Sequence, residues 1–172
     1  MIDLQDRTII GNPNPDFVYG INLELSYKNL SLRVLANGVY GNDIANGNLL
    51  QLATPEGISW SNITTAAYNN AWRPERTSNS YPRIGYTTNG QIAMPDWIIE
   101  DGSFLRISNI NLSYQFDRIN IYLSAQNLFT FTGYSGYNPE VTSFLYDGLR
   151  NGVDWNGQPS ARKFTIGLNF NL

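Results

Sequence analysis

The sequence contains no cysteine and no histidine. Without cysteine there is no disulfide framework and no thiolate metal site. Without histidine, the usual general base and the commonest metal ligand are both missing. Charge is sparse too: 15% of the residues are Asp, Glu, Lys or Arg, against roughly 25% in ordinary soluble domains. The net charge of −3 comes with no basic patch, which argues against nucleic acid as a partner. No apolar run approaches the ~20 residues of a membrane helix. In the opening stretch MIDLQDRTII, residues Asp3, Gln5, Asp6 and Arg7 interrupt the apolar core that a secretory signal would need.

What is present is aromatic and alternating. Aromatics make up 13% of the chain, and Gly, Asn and Tyr recur throughout. In the closing ARKFTIGLNFNL, the side chains of Phe164, Ile166, Leu168, Phe170 and Leu172 point one way. Those of Thr165, Gly167, Asn169 and Asn171 point the other. A period of two marks a strand with one apolar and one polar face. Most soluble domains end in a frayed polar tail, so a strand here needs a neighbour to pair with.

The same alternation runs through YGINLELSYKNLSLRVLANGVY. A two-residue turn at Lys28-Asn29 sets the register. Tyr27 then faces Leu30, Leu25 faces Leu32, Leu23 faces Val34, and Tyr19 covers Gly38. On the other face Ser26 meets Ser31, and Glu24 meets Arg33 as an ion pair. A wrong register would not sort both apolar with apolar and acid with base. In FLRISNINLSYQFDRINIYLSAQNLFTF, a turn at Asp117-Arg118 sets Phe116 against Ile119, Tyr114 against Ile121 and Leu112 against Leu123. Leu105 and Ile107 fall out of phase, and a bulge near Ser108-Asn109 restores it.

The connections decide the class. Both tight turns lie at one end of the strands. Both long links, Gly41 to Pro95 and Gly133 to Ser160, lie at the other. Short turns at one end and long loops at the other are the pattern of an outer-membrane barrel. Loops beyond ~15 residues are uncommon in compact soluble domains. The expected fold is therefore all-β: an antiparallel up-and-down sheet, the C-terminal segment of a transmembrane β-barrel, with long extracellular loops and short periplasmic turns.

Expected strands are 17–27, 30–40, 104–116, 119–131 and 162–172, with loops over 41–96 and 132–161. Tyr40, Phe129, Phe131 and Phe164 would lie near one rim of the apolar face. Tyr114, Phe116 and Phe170 would lie near the other, as in aromatic girdles. A last strand of roughly 12 residues spans about 30 Å once tilted, the depth of a hydrocarbon core. Alternation alone also suits a β-sandwich. The loop asymmetry and the Asn-rich second face favour the barrel. Membrane barrels need about eight strands or more, and open edges in lipid are costly. The chain is thus expected to be the tail of a larger barrel, with Met1 a product of truncation or gene calling.

Five stretches together resemble the C-terminal end of SusC/RagA-type TonB-dependent outer-membrane receptors. They are IIGNPNPDFVYGINLELSYKNLSL, NAWRPERTSNSYPRI, WIIEDGSFLRISNINLSYQF, SAQNLFTFTGYSGYNPEV and RKFTIGLNFNL. They occur in the family's order and span nearly the whole chain. No stretch of these 172 residues resembles the family's N-terminal signal, plug domain or TonB-contacting segment. The final residue is Leu172, where outer-membrane strands more often close with an aromatic.

The resemblance implies nutrient import across the outer membrane of a Gram-negative, Bacteroidetes-like cell, with glycan oligomers or peptides as substrates. It implies a SusD-like surface lipoprotein as lid and TonB as energy source through the plug. It also implies outer-membrane lipid, the remaining strands and plug, and the barrel-assembly machinery as partners. The terminal strand, Phe164, Ile166, Leu168, Phe170 and Leu172, would be read by that machinery and pair with a strand outside the chain. Glu24 and Arg33 would form a lumen-face ion pair.

In the loops, SNITTAAYNNAWRPE reads as a short helix. Ser61 or Asn62 is the cap, Ile63, Ala66, Ala67 and Ala71 share a face, and Pro74 follows the end. Trp60, Trp72, Trp97 and Trp155 offer flat apolar rings on which sugars could stack. Packing within girdle or loop is the commoner role for each, and Trp155 in NGVDWNGQP is the one expected to be most exposed. Catalysis finds little support. Glu100 and Asp101 are neighbours, so on a strand they face opposite ways. Asp147 and Asp154 lie in a Gly/Asn-rich loop that lacks the twelve-residue EF-hand pattern. No enzyme activity and no cofactor are expected. Two alternatives remain open: a soluble carbohydrate-binding β-sandwich, and a purely structural barrel segment.

Overall fold

The structure, a computed structural model, describes residues 7–53, 62–77, 81–84, 94–141 and 151–170. In chain order the elements are β1 (Phe17–Tyr27), β2 (Leu30–Tyr40), β3 (Asp43–Asn46), α1 (Gly47–Ala53), α2 (Thr65–Asn70), β4 (Ile99–Asp101), β5 (Phe104–Phe116), β6 (Ile119–Thr132), β7 (Val153–Asp154) and β8 (Lys163–Phe170). A single 3-10 turn, Asp96–Ile98, precedes β4. The chain divides into two compact units.

One unit is a five-stranded antiparallel sheet in the order β1-β2-β5-β6-β8. Period-two patterning produces it. Leu25, Leu32, Leu112, Leu123 and Ile166 form one row across all five strands. In the next row, on the opposite face, stand Glu24, Arg33, Asn111, Ser124 and Thr165. Over most of the sheet an apolar row is thus followed by a polar one, as the pleat demands. The exception is the row of Val18, Val39 and Phe104 near the end where the chain leaves the sheet.

The turns at Lys28-Asn29 and Asp117-Arg118 join their strands directly, with Tyr27 opposite Leu30 and Phe116 opposite Ile119. The first residue of each turn is left-handed, with φ of 53° at Lys28 and 49° at Asp117. The chain leaves this sheet after Tyr40 and Thr132 and re-enters it at Phe104 and Lys163, always at the end away from the turns.

A bulge sits where the phase slips. Ile107 still faces Ala36, and Asn109 faces Leu35, so Ser108 is the extra residue. Across β6 the same point is met by Asn127, left-handed at φ 51°. The slip lets Leu105 and Ile107 join the apolar face despite their odd numbers.

The other unit holds a three-stranded sheet, β4-β3-β7, with β3 antiparallel to β4 and parallel to β7. Its small core is Ile44, Ala45, Ala53, Ala67, Ala71 and Ile98, all buried. The helix expected in SNITTAAYNNAWRPE is present but shorter, and its cap is Thr64 rather than Ser61 or Asn62. Thr64 takes an extended backbone, and its Oγ1 accepts from the Ala67 amide at 3.1 Å. The reason is reach: an N-cap oxygen meets the amide three residues on, and only from position 64 is that amide Ala67. Asn62 instead accepts from Ile63, and Ser61 lies outside the described residues. Ala67 and Ala71 are buried as expected, whereas Ala66 is exposed.

Candidate functional site

The five-stranded sheet has two chemically opposite faces. On one, the side chains from Phe17 to Tyr27, Leu30 to Tyr40, Leu105 to Phe116, Ile119 to Phe131 and Phe164 to Phe170 that point together are aliphatic or aromatic, or Ala and Gly. None is charged. This face is uncovered. Leu23 is 45% exposed, Leu112 40% and Leu168 56%. A soluble domain rarely leaves so large an apolar patch in contact with water. A β-sandwich would cover these three leucines with a second sheet.

Aromatic rings stand at both ends of the face. Phe17, Tyr40, Phe129, Phe131 and Phe164 are exposed toward the end where the chain leaves the sheet. Tyr27, Tyr114, Phe116 and Phe170 are exposed toward the turns. Phe17 stacks on Tyr40 with ring centres 5.1 Å apart, and Tyr114 leans on Phe116 at 6.3 Å.

The opposite face is largely a hydrogen-bonded polar lattice, with Leu35 within it and Val18, Val39 and Phe104 at the end where the chain leaves the sheet. Arg33 Nη2 donates to Glu24 Oε1 at 3.0 Å, with both side chains more than half exposed. The hydroxyls of Ser26 and Ser31 meet at 3.2 Å. Asn120 donates to Gln115, Asn109 to Ser124, and Ser108 to Asn37. Arg106 is 4% exposed and held in place, donating to Thr130 Oγ1 at 2.9 Å and Asn138 Oδ1 at 2.6 Å. Beside it opens a cavity of about 210 Å³ lined by Arg106, Asn127, Thr130, Tyr137, Ser160 and Arg162, among others. The sequence reading did not single out Arg106. Its signal was an arginine on the polar phase of an otherwise apolar segment, FLRIS.

The TonB-dependent receptor P3 of Formosa agariphila is 33% identical over 182 residues, covering 98% of this chain and 17% of that receptor. The TonB-dependent receptor SusC of Bacteroides thetaiotaomicron is 31% identical, covering 97% of this chain and 16% of its own length. The chain belongs, as a segment, to the SusC-type family of TonB-dependent receptors. It spans about a sixth of the length of these two relatives. Among solved structures, a chain of the RagAB peptide importer in its closed-closed state superposes with a TM-score of 0.74 at 24% identity. That match covers 93% of this chain and 18% of the other, and it speaks for the fold. No family model matches the chain.

The residues expected to matter in this TonB-dependent receptor segment fall in separate places. Phe164, Ile166, Leu168 and Phe170 lie side by side on the exposed apolar face of β8. Leu172 and Trp60 lie outside the described residues, as does Asp147. Trp155 is 39% exposed and packs against the backbone at Gly47, where a Cβ would collide with the indole. Trp72 is half-buried, and its amide donates to the Tyr81 carbonyl at 3.3 Å. Trp97 leans on the Tyr81 ring at 6.1 Å.

The acidic candidates are engaged in structure. Glu100 accepts from Asn46 Nδ2 at 2.8 Å, and buried Asp154 accepts from the Gly157 amide at 3.0 Å. Among the described residues there is no group of three or more Asp, Glu, His or Cys able to hold a metal ion. No helix there is long and apolar enough to cross a membrane, which says nothing of crossing by strands.

Proposed function

We propose that this chain forms part of the wall of an outer-membrane, TonB-dependent nutrient importer. Its uncharged apolar face would lie against lipid and its polar face would line a hydrated bore. One observation carries the reading: an aliphatic face five strands wide, edged with aromatics at both ends, left open and free of charge. Lipid is the solvent that such a face fits, because charged side chains at mid-bilayer depth cost about 2–4 kcal/mol there. The opposite lattice of Asn, Ser, Gln and the Glu24–Arg33 pair suits contact with water and polar solutes.

Within the full receptor, TonB would act through a plug outside this chain, and a SusD-like lipoprotein would sit over the mouth. The substrate class fits glycan oligomers or peptides. Trp155, Trp72 and Trp60 are the loop residues proposed to touch it, Trp155 foremost because its ring is partly open. The C-terminal stretch from Phe164 to Leu172 would carry the signal for the barrel-assembly machinery. The free edge of β8 would receive a strand from elsewhere in the receptor. The reaction is transport, and no residue is assigned a catalytic role.

Deleting Arg162–Leu172 from the full receptor tests this. Surface assembly of the receptor should be lost while the protein is still made. Normal assembly without that stretch would contradict the proposal. Exchanging 41–95 and 133–160 between two receptors tests the substrate-side role. Unchanged substrate preference would assign the segment to wall alone.

A further inference from the structure

Tyrosines lie across glycines at two places in the five-stranded sheet. Tyr19 of β1 faces Gly38 of β2, and a Cβ on Gly38 would collide with Cζ and Oη of that ring. Tyr122 of β6 faces Gly167 of β8, and a Cβ there would collide with the same two atoms of its ring. In both cases the ring spans the neighbouring strand, because glycine alone leaves the space.

The first tyrosine shows where such a ring ends. Beyond Gly38 its phenol donates to the backbone carbonyl of Phe104 on β5, at 3.1 Å. Leu105 is the residue opposite Gly38 on β5, so the acceptor is the residue just before it. One side chain thereby ties three strands: its own, the one it crosses and the one after.

The two sites are related by geometry. Tyr19 lies on the apolar face of a strand running toward the turns. Tyr122 lies on the polar face of a strand running away from them. A two-fold rotation about the in-plane direction perpendicular to the strands reverses strand direction and exchanges the faces. It leaves the left-to-right order of neighbours unchanged. That rotation carries β1-β2-β5 onto β6-β8 and the next position. At that position the described residues place no strand, since β8 pairs with β6 alone. The Tyr122 phenol makes no hydrogen bond to any described residue, and the ring stays half-buried.

The geometry points to Tyr122 as a docking residue for the strand that pairs with the free edge of β8. Its phenol donates to a backbone carbonyl of that incoming strand, that of the residue just before the one facing Gly167. This rests on the barrel-wall reading above and adds the device that fixes register at the seam. The occupant is an antiparallel strand from another part of the same receptor. The chain spans 17% of the P3 receptor and 16% of SusC, so ample length for such a strand lies outside it. A backbone acceptor suits the role, because every residue offers one whatever its side chain.

The test uses the full receptor in a lipid bilayer. A structure should show a strand on β8 with the Tyr122 oxygen about 2.6–3.2 Å from the stated carbonyl. If a strand pairs with β8 but the phenol points elsewhere, this inference falls and the barrel reading stands. If no strand pairs with β8, both fall. If the strand belongs to a second copy of the receptor, the assignment of occupant is overturned.

Amide hydrogen exchange gives an independent readout. Tyr122→Phe keeps the ring and removes the oxygen. Exchange at the seam amides of β8 and its new neighbour should rise about three- to tenfold, as expected for one lost hydrogen bond. Exchange within the β1–β2 pair should not change. An equal rise in both places, or none at the seam, would overturn the assignment.

Discussion

The phenol of Tyr19 passes over Gly38 and donates to the carbonyl of Phe104, 3.1 Å away. The link joins the first hairpin to the second at the end where the chain leaves the sheet. Gly38→Ala should therefore destabilise the receptor by about 1–3 kcal/mol, because the ring must move and its hydrogen bond goes with it. Tyr19→Phe should cost about 1 kcal/mol, since only the hydrogen bond is removed. Thermal unfolding of the full receptor in detergent checks both. Equal stability of Gly38→Ala and the parent would show that the ring is not held there.

Charge should be tolerated on one face of β8 and rejected on the other. Leu168→Arg places a guanidinium on the apolar face, where the expected cost is about 2–4 kcal/mol at mid-depth in a bilayer. Thr165→Arg places the same group on the polar face and should change stability by no more than about 0.5 kcal/mol. Surface yield of the two variants, measured side by side, reads the difference. Similar yields would mean that the apolar face does not meet lipid.

The Glu24–Arg33 bridge should contribute little despite its 3.0 Å geometry, because both side chains are more than half exposed. Water screens such pairs, and typical values are about 0.2–1 kcal/mol. A double-mutant cycle with Glu24→Gln and Arg33→Gln should give a coupling in that range that shrinks as salt is raised. A coupling above about 2 kcal/mol would imply that this part of the polar face is dry.

The turn at Asp117 makes a backbone prediction. Its φ of 49° is left-handed, which glycine adopts without strain and proline cannot adopt at all. Asp117→Gly should leave stability unchanged or raise it by up to about 1 kcal/mol. Asp117→Pro should break the β5–β6 hairpin and cost about 3 kcal/mol or more. Unfolding temperatures of the two variants should move in opposite directions or, for glycine, not at all.

Much of the large sheet was readable because its side chains obey a period of two over long strands. From one assumed turn at Lys28-Asn29 follow Leu23 against Val34, Glu24 against Arg33 and Tyr19 against Gly38, the pairs the structure holds. Even the slip at Ser108 was visible, since Leu105 and Ile107 stood out of phase. The smaller sheet was not. Strands β3, β4 and β7 have 4, 3 and 2 residues, too few to show any period, and β3 meets β7 across more than a hundred residues of sequence. Helix α1, GNLLQLA, does have a start signal, since Asn46 Oδ1 accepts from the Leu49 amide at 3.0 Å as an N-cap, but its 7 residues open on a glycine and are too few to show a helical period. The Tyr122–Gly167 crossing was also missed. The expected register paired the two strands joined at Asp117-Arg118, but it did not extend the pairing to β8.

The account turns on what solvates the side of the sheet that carries Leu23, Leu112 and Leu168. A fluorescent probe placed singly at each position, with the full receptor in bilayers containing a lipid-chain quencher, reads this directly. All three probes should be quenched by the lipid and spared by a water-soluble quencher, while a probe at Thr165 shows the reverse. Protection of the three leucine positions from both quenchers would mean that another protein layer seals them, and the membrane-wall account would then be wrong.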